Sequence, residues 1–365
     1  MSTRAAVLHA SPWQGVFYLT GGASGFLAEV LAEPGASATV LEGQIPYAAQ
    51  ALSELLGTPP ESACSVETAR ALAMAAFQRA RTLGGDPAFG FACTASLATN
   101  RVKKGEHRAH AALQTADDTF TASWQFSGDR QTEETELIEH LWRMLGLTFD
   151  LPSVTSSVEA IDLARTSAIE PWRQLILGEI LTHATQPHDT QLLMPGAFNP
   201  LHSAHKSMLA LAEERTGFTG AFELSVANVD KPLLDYSEIE ARLSQFDKPV
   251  WLTRLPTFVE KARNFPGSHF VVGVDTFSRI VEAKYYGGEL GLKNALAELD
   301  ELGVHFIVFG RQMAGSFKVL GDLVLPDRLR DWRLARCVEI DEQSFKEAVS
   351  STQIRKDSSR EPGLS

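Results

Sequence analysis

Residues 192–214 constrain the fold more than any other stretch. Leu192, Leu193 and Met194 form a short apolar run, and Pro195-Gly196 breaks it. Phe198, Asn199 and Pro200 follow, and from His202 to Glu214 the residues favour helix, with Met208, Leu209, Leu211 and Ala212 apolar. The pattern is strand, tight loop, helix. His202 and His205 are three apart, which puts both on one face of a first helical turn. That turn carries free backbone N–H groups and the positive end of the helix dipole. Two histidines at a helix start, reached through a glycine loop, suit phosphate oxygens.

The residues after this stretch continue the alternation. Strands are expected at 222–230, 249–253, 269–277, 304–311 and 338–340, with helices at 237–246 and 257–264 between them. The runs His269–Phe277 and Val304–Arg311 are apolar throughout. Continuous apolar strands are buried on both faces, as in a parallel sheet, and alternation with helices gives a doubly wound α/β fold. Lys231, just past the 222–230 run, is placed where open α/β sheets meet ligands. Near the end, Ser351 and Thr352 lie at an expected helix start, and Arg355 returns to the same face to grip phosphate oxygens.

The motif G-x-F-x-P-x-H-x-x-H, read at Gly196, Phe198, Pro200, His202 and His205, resembles the signature of the nucleotidylyltransferase superfamily. The run Val349-Ser350-Ser351-Thr352-Gln353-Ile354-Arg355 resembles its second signature. Gly196-Ala197-Phe198-Asn199-Pro200, Gly273-Val274-Asp275 and Phe309-Gly310-Arg311 are similar to pieces of the nicotinate or nicotinamide mononucleotide adenylyltransferases. Where those enzymes often carry a tryptophan after G-x-D, this chain offers Tyr285 and Tyr286. The resemblance implies a Rossmann-like domain that moves AMP from ATP to a phosphorylated acceptor and releases pyrophosphate. It casts His202, His205 and Arg355 as catalytic. Gly196, Phe198, Asn199, Lys231, Gly273, Asp275, Arg311, Ser351 and Thr352 would bind nucleotide or phosphate. Mg2+ would arrive with ATP, and no protein metal site is expected.

The first half also alternates. Val16–Leu19 leads into Thr20-Gly21-Gly22 and a helix, 66–83 is an alanine-rich helix, 89–94, 108–114 and 119–126 are strands, and 133–145 is an amphipathic helix. The pattern reads as an α/β layered domain. The order of its pieces, from Val16 to Leu147, is similar to the C-terminal domain of CinA, a family that deamidates nicotinamide mononucleotide. Thr20-Gly21-Gly22, Pro34-Gly35-Ala36-Ser37, Tyr47, Leu55-Leu56-Gly57, Ser65-Val66-Glu67-Thr68-Ala69 and Phe126-Ser127-Gly128-Asp129-Arg130 carry that likeness. Two departures bear on activity. Tyr18 stands where the family has its nucleophilic serine, and Leu52 where it has a lysine, so nucleophile and base are both missing. A retained fold then serves packing, self-association into a homo-oligomer, or ligand sensing. The basic segment Arg101–His110 fits either a phosphate contact or a solvated loop.

The expected layout is therefore 1–150 as a degenerate CinA C-terminal-like domain, 151–188 as linker and connecting helix, 189–356 as the nucleotidylyltransferase domain, and 357–365 as a tail. Two domains suit 365 residues. A net charge of −12 argues against a general nucleic-acid or anionic-membrane surface, while leaving room for a local anion pocket. Cys64, Cys93 and Cys337 are scattered, which fits reduced thiols in the cytoplasm. No apolar run approaches the ~20 residues of a membrane span. Two alternatives stand beside adenylyl transfer: a non-catalytic nucleotide sensor or scaffold, and a transferase with a pantetheine or sugar phosphate as acceptor.

Overall fold

The computed structural model describes residues 3–100, 105–151, 154, 161–313, 316–323, 330–345 and 354–355. Two compact units form. One comprises Met1–Leu177 with Asp230–Ile239, and the other Gly178–Val229 with Glu240–Ser365.

In chain order the first unit holds α1 (Arg4–His9), β1 (Gln14–Thr20), α2 (Ser24–Ala32), β2 (Val40–Gln44), α3 (Ala49–Leu56) and α4 (Val66–Thr82). Then come β3 (Ala88–Ser96), β4 (His107–Gln114), β5 (Asp118–Phe126), α5 (Arg130–Thr148), β6 (Ala164–Ser167) and α6 (Glu170–Leu177). The sheet order is β2-β1-β3-β4-β5-β6. β2, β1 and β3 run parallel, and β4, β5 and β6 continue as antiparallel neighbours. The long helices start where the sequence supplies caps. Ser65 accepts the Thr68 N–H at 3.2 Å, and Asp129 accepts that of Thr132 at 2.8 Å. An aromatic core of Phe17, Phe26, Phe91 and Trp142 locks α2 and α5 onto the sheet.

The second unit holds β7 (Thr182–Ala184), β8 (Leu192–Pro195), α7 (Ser203–Thr216), β9 (Gly220–Ser225), α8 (Tyr236–Leu243), β10 (Val250–Thr253) and α9 (Phe258–Asn264). It continues with β11 (His269–Gly273), α10 (Val274–Ile280), α11 (Glu289–Glu301), β12 (His305–Phe309), β13 (Arg311–Met313), β14 (Ser316–Lys318), α12 (Arg330–Arg336) and β15 (Cys337–Ile340). The first four residues of α8 are grouped with the first unit. The sheet order is β15-β12-β11-β8-β9-β10-β7. Neighbours are parallel except β7, which runs antiparallel along the β10 edge. Strands β9 and β10 lie on one side of β8, and β11, β12 and β15 on the other. The order therefore reverses at β8, and open α/β sheets bind ligands at such a switch, beyond the carboxyl ends of the strands.

Several expected elements take a different form. The segment expected as linker supplies β6 to the first sheet and β7 to the second. The connecting helix expected in that segment is α6, which stops at Leu177, where Gly178 turns the chain with φ 79°. The run His269–Phe277 is not one strand. It is a strand to Gly273 and then helix α10, which puts Asp275 in a first helical turn. Likewise 304–311 divides after Phe309, and Arg311 opens the β13–β14 hairpin.

Candidate functional site

The loop between β8 and α7 lies at the switch point. Gly196 donates its N–H to the Glu223 carbonyl at 3.0 Å, which carries the chain off the end of the sheet. A Cβ on Gly196 would come within 2.6 Å of the Phe198 ring, so only glycine fits there. Phe198 has φ 47°, a costly conformation for a bulky residue that persists only where its surroundings impose it. Here they do. The ring is 2% exposed and meets Phe222, Phe246 and His205 edge-on, with centroids 5.1–5.2 Å away.

His202 is the residue that caps α7, and His205 is the third residue inside the helix. Their rings stack with centroids 3.6 Å apart. His205 Nδ1 accepts the His202 backbone N–H at 3.3 Å. Burial, then the neighbouring His202, then the Arg311 guanidinium push the His205 pKa down to about 3. The ring is therefore neutral near pH 7. With Nδ1 occupied as an acceptor, Nε2 carries the proton and is the donor.

The neighbouring strands supply the next groups. A Cβ on Gly273 would come within 2.6 Å of Asp275 Oδ1, so the glycine lets that carboxylate fold back over the end of β11. Arg311 binds Asp275 at 2.7 Å, with both side chains partly exposed. Arg355 donates to the Asn199 carbonyl of the loop. His202, His205, Gly196, Phe198, Asn199, Gly273, Asp275, Arg311 and Arg355 thus all belong to the second unit, on or beside the loop and the ends of β11 and β12.

Lys231 is exposed and lies in the segment Asp230–Ile239, which is grouped with the first unit. Ser351 and Thr352 lie outside the described residues. Two further residues hold the loop that the sequence did not single out. Arg242 donates to the Ala197 carbonyl at 2.9 Å, and Gln245 accepts the Leu201 N–H at 2.8 Å. Their only sequence signal is a polar pair three apart at the end of α8. Among the described residues no group of three or more His, Cys, Asp or Glu side chains could hold a metal ion, and no helix is long and apolar enough to cross a membrane.

In the first unit, Tyr18 is 2% exposed on β1. Its hydroxyl donates to Glu42 at 3.4 Å, and burial together with that carboxylate pushes its pKa up to about 12. Leu52 is 3% exposed within α3, whereas Tyr47 is exposed. Of the basic segment, residues 101–104 lie outside the described residues. His107 Nδ1 bonds the fully buried Glu133 at 2.6 Å, and the other oxygen of Glu133 takes the Ala98 N–H at 2.6 Å. Arg108 donates to the Cys64 carbonyl and His110 bonds Ser123, so these members are tied into the fold.

No family model matches the chain, and no curated protein matches it. Among solved structures, the chain is similar to the competence/damage inducible protein CihA from Agrobacterium tumefaciens. Identity is 18% and the TM-score 0.34, over 41% of this chain and 99% of that one. It is also similar to a competence-damaged protein (CinA) superfamily member from Klebsiella pneumoniae, at 18% identity and a TM-score of 0.34, over 40% of this chain and 94% of that one. A CinA superfamily protein from Escherichia coli is 21% identical with a TM-score of 0.31, over 37% of this chain and 81% of that one.

Proposed function

We propose that the second unit is a nucleotidylyltransferase that moves AMP from ATP to a small phosphorylated acceptor, nicotinate or nicotinamide mononucleotide being the first candidates. The observation that carries this reading is the Gly196–His205 loop at the switch point of a parallel sheet, with a neutral, correctly protonated His205 at the helix start. In this reading an acceptor phosphate oxygen attacks the α-phosphorus of ATP in line. The bond from that phosphorus to the bridging oxygen breaks, and pyrophosphate leaves with the electron pair.

No covalent intermediate with the protein is required, so its contribution is positioning and charge neutralisation. His205 Nε2–H and His202 would donate to triphosphate oxygens as negative charge moves onto the leaving group. Arg355, with Ser351 and Thr352, would hold the β and γ phosphates. Arg311 would add a second guanidinium, and Asp275, already paired with it, would meet a ribose or acceptor hydroxyl. Mg2+ would come with ATP and take its ligands chiefly from phosphate and water.

Incubation with ATP, Mg2+ and a panel of phosphorylated acceptors, followed by pyrophosphate detection, tests the reading. Release with one acceptor is expected, and His205→Ala should lower kcat by about 10²–10³, the range for losing one donor to a developing anion. ATP binding without pyrophosphate from any acceptor would instead make the unit a nucleotide sensor. An unchanged rate in His205→Ala would remove the site assignment.

A further inference from the structure

We infer that Gln245 is the positioning residue of the Gly196–His205 loop, with Arg242 as its auxiliary. The kinetic part of this inference rests on the adenylyl-transfer reading, and the structural part does not. The loop makes its reversal through Phe198, at φ 47°, and a cis Asn199–Pro200 bond. The loop residues lie between β8 and α7, so their backbone groups need partners from outside those two elements, and unpaired ones are costly. Leu201 lies before the cap of α7, so its N–H has no partner in the helix.

Gln245 supplies that partner. Its Oε1 accepts the Leu201 N–H at 2.8 Å, and its Nε2 donates to the Phe198 carbonyl at 3.3 Å. A backbone N–H can only donate, so the contact with Leu201 settles which end of the side-chain amide is oxygen. One amide thus spans the turn, joining the residue before Asn199-Pro200 to the residue after it. The same NH2 group also contacts the Ala241 and Arg242 carbonyls at 3.3 Å, which holds the amide against the end of α8. Arg242, three residues earlier, takes the Ala197 carbonyl at 2.9 Å. The loop is therefore suspended from the end of α8 at Ala197, Phe198 and Leu201.

His202 follows Leu201 directly, and the His202 N–H is the group that sets the His205 tautomer. Gln245 acts one residue upstream of the two rings, through the backbone groups of Phe198 and Leu201. Its loss lets the turn relax and shifts both rings relative to a bound triphosphate. A displacement of about 1 Å at such a site costs on the order of 10²-fold in rate. Since the nucleotide contacts themselves remain, kcat should fall while KM for ATP changes little.

The experiment compares the full-length protein with Gln245→Ala and Gln245→Glu. The first measurement is amide hydrogen exchange without nucleotide. In Gln245→Ala the Leu201 amide should lose its protection while Leu209 and Ala212, inside α7, keep theirs. Gln245→Glu retains an acceptor for the Leu201 N–H and loses the donor to Phe198, so it should restore protection at Leu201 in part. The second measurement is pyrophosphate release. The expected result is a kcat lower by about 10–10²-fold in Gln245→Ala, an intermediate value in Gln245→Glu, and a KM for ATP within a few-fold of wild type. Leu201 protection unchanged in Gln245→Ala would overturn the inference, as would a kcat equal to that of the wild type. A wild-type protein that releases no pyrophosphate defeats the adenylyl-transfer reading instead, and the exchange result then decides the role of Gln245.

Discussion

The depressed pKa of His205 gives a stability prediction that needs no knowledge of the acceptor. The folded ring titrates near 3 and the unfolded ring near 6.5. Between these values the unfolded chain holds a proton that the folded state refuses. The contribution is thus complete above about pH 6.5 and is lost as the pH falls towards 3. At pH 5 the unfolded ring is about 97% protonated and the folded ring about 1%, a difference worth about 2 kcal/mol relative to pH 7. The ring keeps some exposure to water, which reduces the expected loss to about 1–2 kcal/mol. The perturbation is His205→Gln, which leaves an acceptor near the His202 N–H and nothing that titrates. Carboxylates elsewhere titrate in both proteins and cancel in the comparison. Urea unfolding at pH 7 and pH 5, read by hydrogen exchange at Leu209 and Ala212 of α7, gives the stability of this unit alone. Wild type should lose about 1–2 kcal/mol more than His205→Gln between the two pH values. Equal losses would mean that the ring is not held neutral by burial, His202 and Arg311, and the donor assignment at Nε2 would fall with it.

Two further outcomes follow from groups deeper in each unit. Lys261 is buried against Glu223 at 2.7 Å, and Thr253 donates to the same carboxylate, so Lys261→Met should cost about 3–5 kcal/mol by leaving a buried charge unpaired. Glu223→Leu with Lys261→Met should recover much of that loss in urea titration, and a double variant no better than the single one would refute the pairing argument. In the first unit, nicotinamide mononucleotide should give no ammonia, either with wild type or with Tyr18→Ser, because Leu52 cannot take a proton from a restored hydroxyl. A coupled ammonia assay reading above the buffer blank for the wild type would show a nucleophile other than the one the sequence comparison led us to expect.

How much of this was legible depends on how far apart the cooperating residues lie. The loop and its histidines were readable because strand, turn and helix start are contiguous, so local pattern and local structure coincide. Asp275 and Arg311 were readable for a related reason. Each follows a buried apolar strand, and the ends of neighbouring parallel strands meet in space. What failed was local geometry at those same ends. Val274 and Phe277 are apolar, so the run to Phe277 looked like one strand, yet Gly273 ends it and Asp275 starts a helix. β7 was hidden because three residues of edge strand carry no periodicity, and the apolar positions of α6 ran on into them.

The groups that hold the site were invisible for a different reason. Glu223 is a charged residue at 1% exposure in the middle of a buried strand, and read alone it argues against that strand. Lys261, 38 residues later on α9, and Thr253 make it tolerable, and only the fold brings them to it. Gln245 is the same case at the surface of the loop. Its partners, Phe198 and Leu201, are 47 and 44 residues earlier, and they contribute backbone atoms alone. A side chain that binds backbone leaves no pattern of residue types at its partners, so neither spacing nor composition points to it. The grouping of the loop histidines with Asp275 and Arg311 was therefore legible in the sequence, and the side chains that hold the loop in place were not.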